Sequence, residues 1–264
     1  MNKLIFAALA AAALSGPAVA ADLVSHNTKA PAAVPIMIYN WTGFYIGAHA
    51  GAAFPTGGSI TETAPVAPDT FYNITGATSA LGNKTDFTGG AQAGYNFQIN
   101  QFVLGAEGDF GYLGYRSTAV QRNPLTGAPQ APPIGDTFGR KKADWLATIR
   151  ARVGVAFDRL LVYATAGVAF SDLQYSVSDT CNVTPCGGGL ISGNASPDIG
   201  WVFGGGAEYA FTDNWTIKGE YLYNRFEGKN IRGDATYRVG SGSTPYHAAA
   251  TEIHVVRLGL NYKF

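Results

Sequence analysis

Between residues 144 and 170 apolar and polar positions alternate with a period of two, which is the spacing of a strand with two unlike faces. Trp145, Ala147, Ile149, Ala151, Val153, Val155 and Phe157 fall on one face, and Thr148, Arg150, Arg152 and Gly154 fall on the other. After Asp158-Arg159 the alternation resumes, with Leu160, Val162, Ala164, Ala166, Val168 and Phe170 on the apolar side. The stretch predicts a hairpin with one apolar wall and two arginines behind it. Strands of about ten residues, bracketed by aromatics and divided in this way, suit a bilayer with lipid outside and a polar lumen inside.

The same pattern recurs along the chain. It predicts a first strand over 41–54, a second over 87–97, a third over 102–112, the hairpin as fourth and fifth, a sixth over 201–211, a seventh over 215–223 and an eighth over about 252–264. Four polar, Pro-, Gly- and Thr-rich stretches, 55–84, 114–139, 171–199 and 224–250, read as long loops. They alternate with short turns at 98–101, 158–159 and 212–214. Aromatics gather at both strand ends, as in two interfacial girdles. An open sheet in hydrocarbon would leave its edges unpaired, so the eighth strand must close on the first. The expected fold is all-β: an eight-stranded antiparallel transmembrane β-barrel with short periplasmic turns and four long extracellular loops.

Composition supports this reading and adds a destination. The 264 residues carry 18 basic and 18 acidic side chains, so no net field points to nucleic acid, and 34 glycines with 14 tyrosines favour strands and turns. Residues 1–20 read as a secretory signal peptide, with Lys3, an apolar run and the small-residue site Ala18-Val19-Ala20. Residues 21–40 read as an irregular periplasmic arm and 41–264 as the barrel. Beyond the leader no run of eighteen apolar residues exists to form a membrane-spanning helix. Export puts Cys181 and Cys186 in an oxidising compartment, where a small loop disulfide is expected, with a redox role as the alternative.

The C-terminal RLGLNYKF sends Arg257, Gly259, Asn261 and Lys263 inward and Leu258, Leu260, Tyr262 and Phe264 toward lipid. Gly259, Tyr262 and the terminal Phe264 resemble the signal read by the outer-membrane barrel assembly machinery. Together with NWTGFYIGAHAG (40–51), LGAEGDFGY (104–112), the hairpin (147–170) and GWVFGGGAEYAFTDNWTIKGEYLY (200–223), they resemble the small outer-membrane β-barrel surface proteins of alphaproteobacteria. The resemblance covers nearly every predicted strand and few loops. It implies an abundant, surface-exposed and often antigenic envelope protein, with porin activity in some members and haem binding in others. Outer-membrane lipids, including lipopolysaccharide, and the assembly machinery are the partners it implies; oligomeric state stays open.

Nine ionisable residues fall on inward positions: Glu107, Asp109, Arg150, Arg152, Glu208, Lys218, Glu220, Arg257 and Lys263. Four carboxylates against five cations suit a compensated salt-bridge network filling a narrow barrel. The same set could act as a constriction that selects ions or small solutes. His49 is the one histidine on an inward strand position. A lipid-modifying enzyme using it would have to draw in Thr42, Ser59 or Asp86, so no catalytic residue is assigned. Four scattered histidines and Cys181-x4-Cys186 do not make a metal site, and no cofactor is expected. The expected role is a structural, surface-exposed envelope protein with at most narrow pore activity. The alternatives are a porin, or haem or host binding by the loops.

Overall fold

The computed structural model describes residues 39–56, 58–63, 76–82, 84–122, 125–129, 137–181, 189–196, 199–237 and 240–264. The expected signal peptide, most of the arm, Cys186 and the side chain of Cys181 lie outside what is described. The strands in order are β1 (Gly43–Thr56), β2 (Ser59–Glu62), β3 (Thr78–Ala80), β4 (Asp86–Ile99), β5 (Phe102–Val120), β6 (Phe138–Phe157) and β7 (Leu160–Ser171). They are followed by β8 (Gln174–Cys181), β9 (Gly189–Ala195), β10 (Ile199–Ala210), β11 (Trp215–Phe226), β12 (Lys229–Tyr237), β13 (Gly240–Ala248) and β14 (Thr251–Lys263).

Eight of these close a barrel. β1, β4, β5, β6, β7, β10, β11 and β14 pair antiparallel in that order, and β14 returns to β1 from Tyr45↔Lys263 to Thr56↔Glu252. Closure leaves no edge for lipid to strip of hydrogen bonds. The short connections are tight. Asn100 (φ 54°) and Asp158 (φ 51°) take the left-handed conformation that two-residue hairpin turns require, and Asn and Asp tolerate it better than other side chains. Phe110, Ile149, Phe203, Leu258 and their outward neighbours are exposed on the wall, while Thr148, Arg150 and Arg152 are buried inside. The girdle at the short-turn end includes Phe44, Trp215, Tyr262 and Phe264, with Trp215 edge-on to Tyr262 at 5.2 Å.

The segments expected to be long loops contain further strands. β5 runs on to Val120 and β6 starts at Phe138, while β8–β9 and β12–β13 form hairpins and β2 and β3 add two short strands. The upper parts of β5 and β6 with β8, β9, β12, β13, β2 and β3 pair in that order. β3 returns to the chain two residues past β5, because Thr78 N donates to Arg122 O (3.1 Å) and Arg122 N to Thr78 O (2.9 Å). A second tier therefore stands on the barrel at the long-loop end. The reason is physical: backbone emerging from a barrel rim still needs partners. In β8, Tyr175, Val177 and Asp179 point inward and Gln174, Ser176 and Ser178 less so or outward, so this polar stretch alternates like a strand. Its high serine and threonine content masks the pattern in the sequence.

Between the tiers β6 changes phase, while β5 keeps Leu113, Tyr115 and Ser117 on the same buried side as Glu107 and Asp109. Pairing of β5 with β6 shifts between Tyr112 and Tyr115, and the buried side chains of β6 change from Leu146, Thr148 and Arg150 to Lys141 and Ala143. Asp172 holds this irregularity in place, since its Oδ1 accepts from Asp144 N (2.8 Å) and Trp145 N (3.1 Å). β6 therefore enters the tier with the opposite face inward.

Candidate functional site: a charged barrel interior

The interior is filled in three layers. At the short-turn end the chain before β1 turns in rather than hanging free. Tyr39 N donates to Asp158 Oδ1 (2.9 Å), Trp41 N to Gln98 Oε1 (2.7 Å) and Trp41 Nε1 to Asp158 O (3.0 Å). These bonds seat Tyr39 and Trp41 against Val103, Leu161, Tyr163 and Ala210. Gly43 makes the entry possible: its φ of 148° would strain any other residue, and a Cβ there would lie 3.1 Å from Phe264 O. At the other end a larger apolar cluster fills the tier and the upper barrel, with Leu113, Tyr115, Leu146, Tyr175, Phe226 and Tyr246 among its members.

Between the apolar layers lies the charge. Register sets Glu107 directly opposite Arg150 and Glu220 opposite Arg257, on the inner faces of adjacent strands. Arg150 reaches Glu107 (2.5 Å), Asp109 (2.9 Å) and Glu220 (3.0 Å). Arg257 reaches Glu220 (2.6 Å) and Asp109 (3.1 Å), Lys218 reaches Glu107 (2.8 Å), and Arg152 reaches Glu208 (2.8 Å). Neutral donors take up further lone pairs. Tyr45 donates to Glu107 (2.7 Å), Tyr163 to Glu220 (2.9 Å), Thr216 and Asn261 to Glu208 (2.5 and 2.8 Å), and Thr148 to Asp109 (2.5 Å). The Arg152 guanidinium also lies over the Tyr163 ring, 3.9 Å from its centroid.

Eight of the nine inward ionisable residues meet here: Glu107, Asp109, Glu208 and Glu220 against Arg150, Arg152, Lys218 and Arg257. The ninth does not. Lys263 sits below the layer at the short-turn rim, where its Nζ contacts Asn40 O and lies 4.2 Å from the centre of the Tyr39 ring. Parity along the strand sends Lys263 inward, but the last residues of β14 reach past the charged layer. Without it the buried set is four acids and four bases, balanced in formal charge, and a balanced, hydrogen-bonded set is the form in which buried ions are tolerable.

Glycines give these long side chains room. Lys218 faces Gly259 across the β11–β14 ladder, and a Cβ on Gly259 would lie 3.0 Å from Lys218 Cγ and Cε and from Gln92 Nε2. Gly259 therefore has a packing role in the folded barrel. Tyr262 and Phe264 stack edge-on at 5.2 Å in the girdle.

His49 is buried with Nε2 3.3 Å from Arg257 Nη1. Thr42 accepts from Gln98 N (3.0 Å) at the short-turn end, and Ser59 belongs to β2 in the tier. Among the described residues no hydrogen bond joins His49 to Thr42, Ser59 or Asp86. One buried cation has no place in the sequence-level set: Lys141, inside the tier, donates to Thr251 Oγ1 (2.6 Å) and lies 4.9 Å from the centre of the Tyr175 ring. The phase change at Asp144 and Trp145 hides it, because strict alternation from the hairpin would turn Lys141 outward.

A closed antiparallel barrel with an apolar outer band, aromatic girdles and an ionic interior is the architecture of an outer-membrane β-barrel protein. The chain belongs to the outer membrane protein beta-barrel domain family, whose model matches residues 6–264. It is similar to the 31 kDa outer-membrane immunogenic protein of Brucella melitensis biotype 1, 34% identical over 268 residues and 100% of both chains. It is also similar to the 25 kDa outer-membrane immunogenic protein of Brucella canis, 27% identical over 272 residues, covering 100% of this chain and 99% of the other. The 22 kDa outer membrane protein of Rhizobium leguminosarum bv. viciae is 29% identical over 178 residues, covering 67% of this chain and 66% of the other. The protein is a small alphaproteobacterial outer-membrane barrel, located in the outer membrane.

Proposed function

We propose that this barrel serves as a structural, surface-exposed envelope protein, closed to solutes at rest, with its second tier outside the cell and both termini in the periplasm. The observation that carries closure is the three-layer filling: the Trp41 layer, the four-acid, four-base network and the apolar core of the tier. A diffusion pore would need a water path through all three. Orientation is supported by the asymmetry of the connections, with short turns beside the termini and the tier opposite. The Brucella relatives are named immunogenic, and the same property in this chain would follow from exposure of the tier.

Surface labelling tests the proposal. In a background with Cys181 and Cys186 replaced by Ser, Leu125→Cys at the tier and Asp213→Cys at a short turn are treated on intact cells with a membrane-impermeant maleimide. Position 125 is expected to label on intact cells and position 213 only after permeabilisation. The opposite pattern would overturn the orientation. Proteoliposomes are expected to swell in small sugars no faster than protein-free liposomes, and rapid swelling would overturn closure.

A further inference from the structure

The outward face of the tier carries a groove of about 750 Å³ that crosses β5, β6, β8, β9 and β12. Its floor is made of small hydroxyl and amide side chains, chiefly Ser178, Ser192 and Asn194, with Phe138 at one edge. Arg140 stands on the β6 side, and Arg232 stands on the β12 side beside Asp234. Both arginines are exposed, and among the described residues neither guanidinium has a hydrogen-bond or ion-pair partner. This contrasts with the barrel interior, where every arginine is held by carboxylates.

We propose that this groove binds the acidic core saccharide of the lipopolysaccharide that surrounds the barrel in the outer leaflet. Three features specify the ligand. The arginines offer planar, multi-donor forks to phosphate or carboxylate. Ser and Asn side chains both donate and accept, which matches sugar hydroxyls. Three strand spacings separate β6 from β12, about 14 Å, the width of a short oligosaccharide.

The leaflet is favoured over a soluble glycan by what lies beneath the groove. Arg116 and Lys142, opposite each other in register and both paired with Asp144 (3.0 and 2.5 Å), stand on the outer wall between the groove and Trp145 of the girdle. Arg140 stands roughly 12–16 Å above that girdle, allowing for strand tilt. Basic groups thus climb from the membrane surface to the groove on one outward face, where a lipid-anchored polyanion would lie. The assignment rests on the orientation proposed above, but binding in micelles reads the groove independently of that orientation.

The test uses full-length folded protein in mixed micelles, with retained glycolipid counted by native mass spectrometry. The probes are rough lipopolysaccharide with an intact acidic core, lipid A alone, and the deacylated soluble core. Core-bearing lipopolysaccharide is expected to be retained best. Arg140→Ser with Arg232→Ser should lower its retention by about tenfold or more, from loss of two charge-assisted contacts. Lys229→Ser, an exposed change elsewhere on the tier, should leave retention unchanged. The proposal is overturned if the double variant retains core-bearing lipopolysaccharide as wild type does, if lipid A alone is held equally well, or if Lys229→Ser has the same effect. Equal binding of the soluble core would move the site to free glycans and also overturn it.

Discussion

Glu107 is the residue on which the interior balance turns. Within 4 Å it has Arg150 (2.5 Å), Lys218 (2.8 Å), Arg152 (3.5 Å) and Arg257 (3.7 Å), that is, all four cations of the network. Glu107→Gln keeps the shape and an acceptor for the Tyr45 hydroxyl but leaves three acids facing four bases. Removing one partner from a buried ion set costs about 3–5 kcal/mol, because the surviving charge stays desolvated. Lys218→Met alone creates the opposite imbalance, and the double variant restores three against three. The double variant should therefore be more stable than the sum of the singles implies, by about 1–3 kcal/mol. Urea unfolding of the protein in lipid vesicles, followed by tryptophan emission and by heat-modifiable gel mobility, measures all four corners of the cycle. A Glu107→Gln variant within about 1 kcal/mol of wild type, or strictly additive singles, would refute charge balance as the principle that organises this interior.

Three further outcomes follow from other layers. Trp41→Ala should cost about 3–5 kcal/mol in the same unfolding assay, since Trp41 is only 1% exposed and its indole N–H is bonded to Asp158. Asp172→Ala leaves two backbone N–H groups without their acceptor and should cost about 1–3 kcal/mol, with faster amide hydrogen exchange at Asp144 and Trp145. Burial pushes the Lys141 ammonium from 10.5 down to about 8. The folded state loses that proton first, so between pH 8 and 10.5 the unfolded chain binds more protons and stability rises with pH. Tyr115 and Tyr175, raised by burial to about 12, stay protonated across that window. Lys141→Met should raise the urea midpoint at pH 7.5 and flatten its rise toward pH 10; an unchanged slope would refute the assignment.

The barrel was legible because lipid and lumen impose one rule on every strand. Ile149 against Arg150, or Leu258 against Arg257, declares its face without tertiary information. The same parity put Glu107 and Arg150 on neighbouring inner faces, and register sets them opposite each other. What was not legible depends on events outside that rule. The Trp41 layer is held by turn groups distant in sequence, Asp158 and Gln98, which alternation within the expected 41–54 strand does not reveal. The second tier is water-exposed on its outer face, so no lipid enforces a visible apolar band on Ser176, Ser178 or Ser192. Lys141 is concealed by a phase change fixed by Asp172, a residue from another strand connection. Lys263 obeys parity and still misses the charged layer, because depth along the barrel axis is not encoded by alternation.

Electrical conductance of the folded protein in a planar bilayer tests the central claim most directly. With correct folding verified by heat-modifiable mobility, wild-type protein is predicted to give no stepwise conductance above the lipid baseline at moderate voltage. Reproducible steps whose size or ion preference changes in Arg150→Ala or Glu107→Gln would contradict the closed, charge-balanced interior.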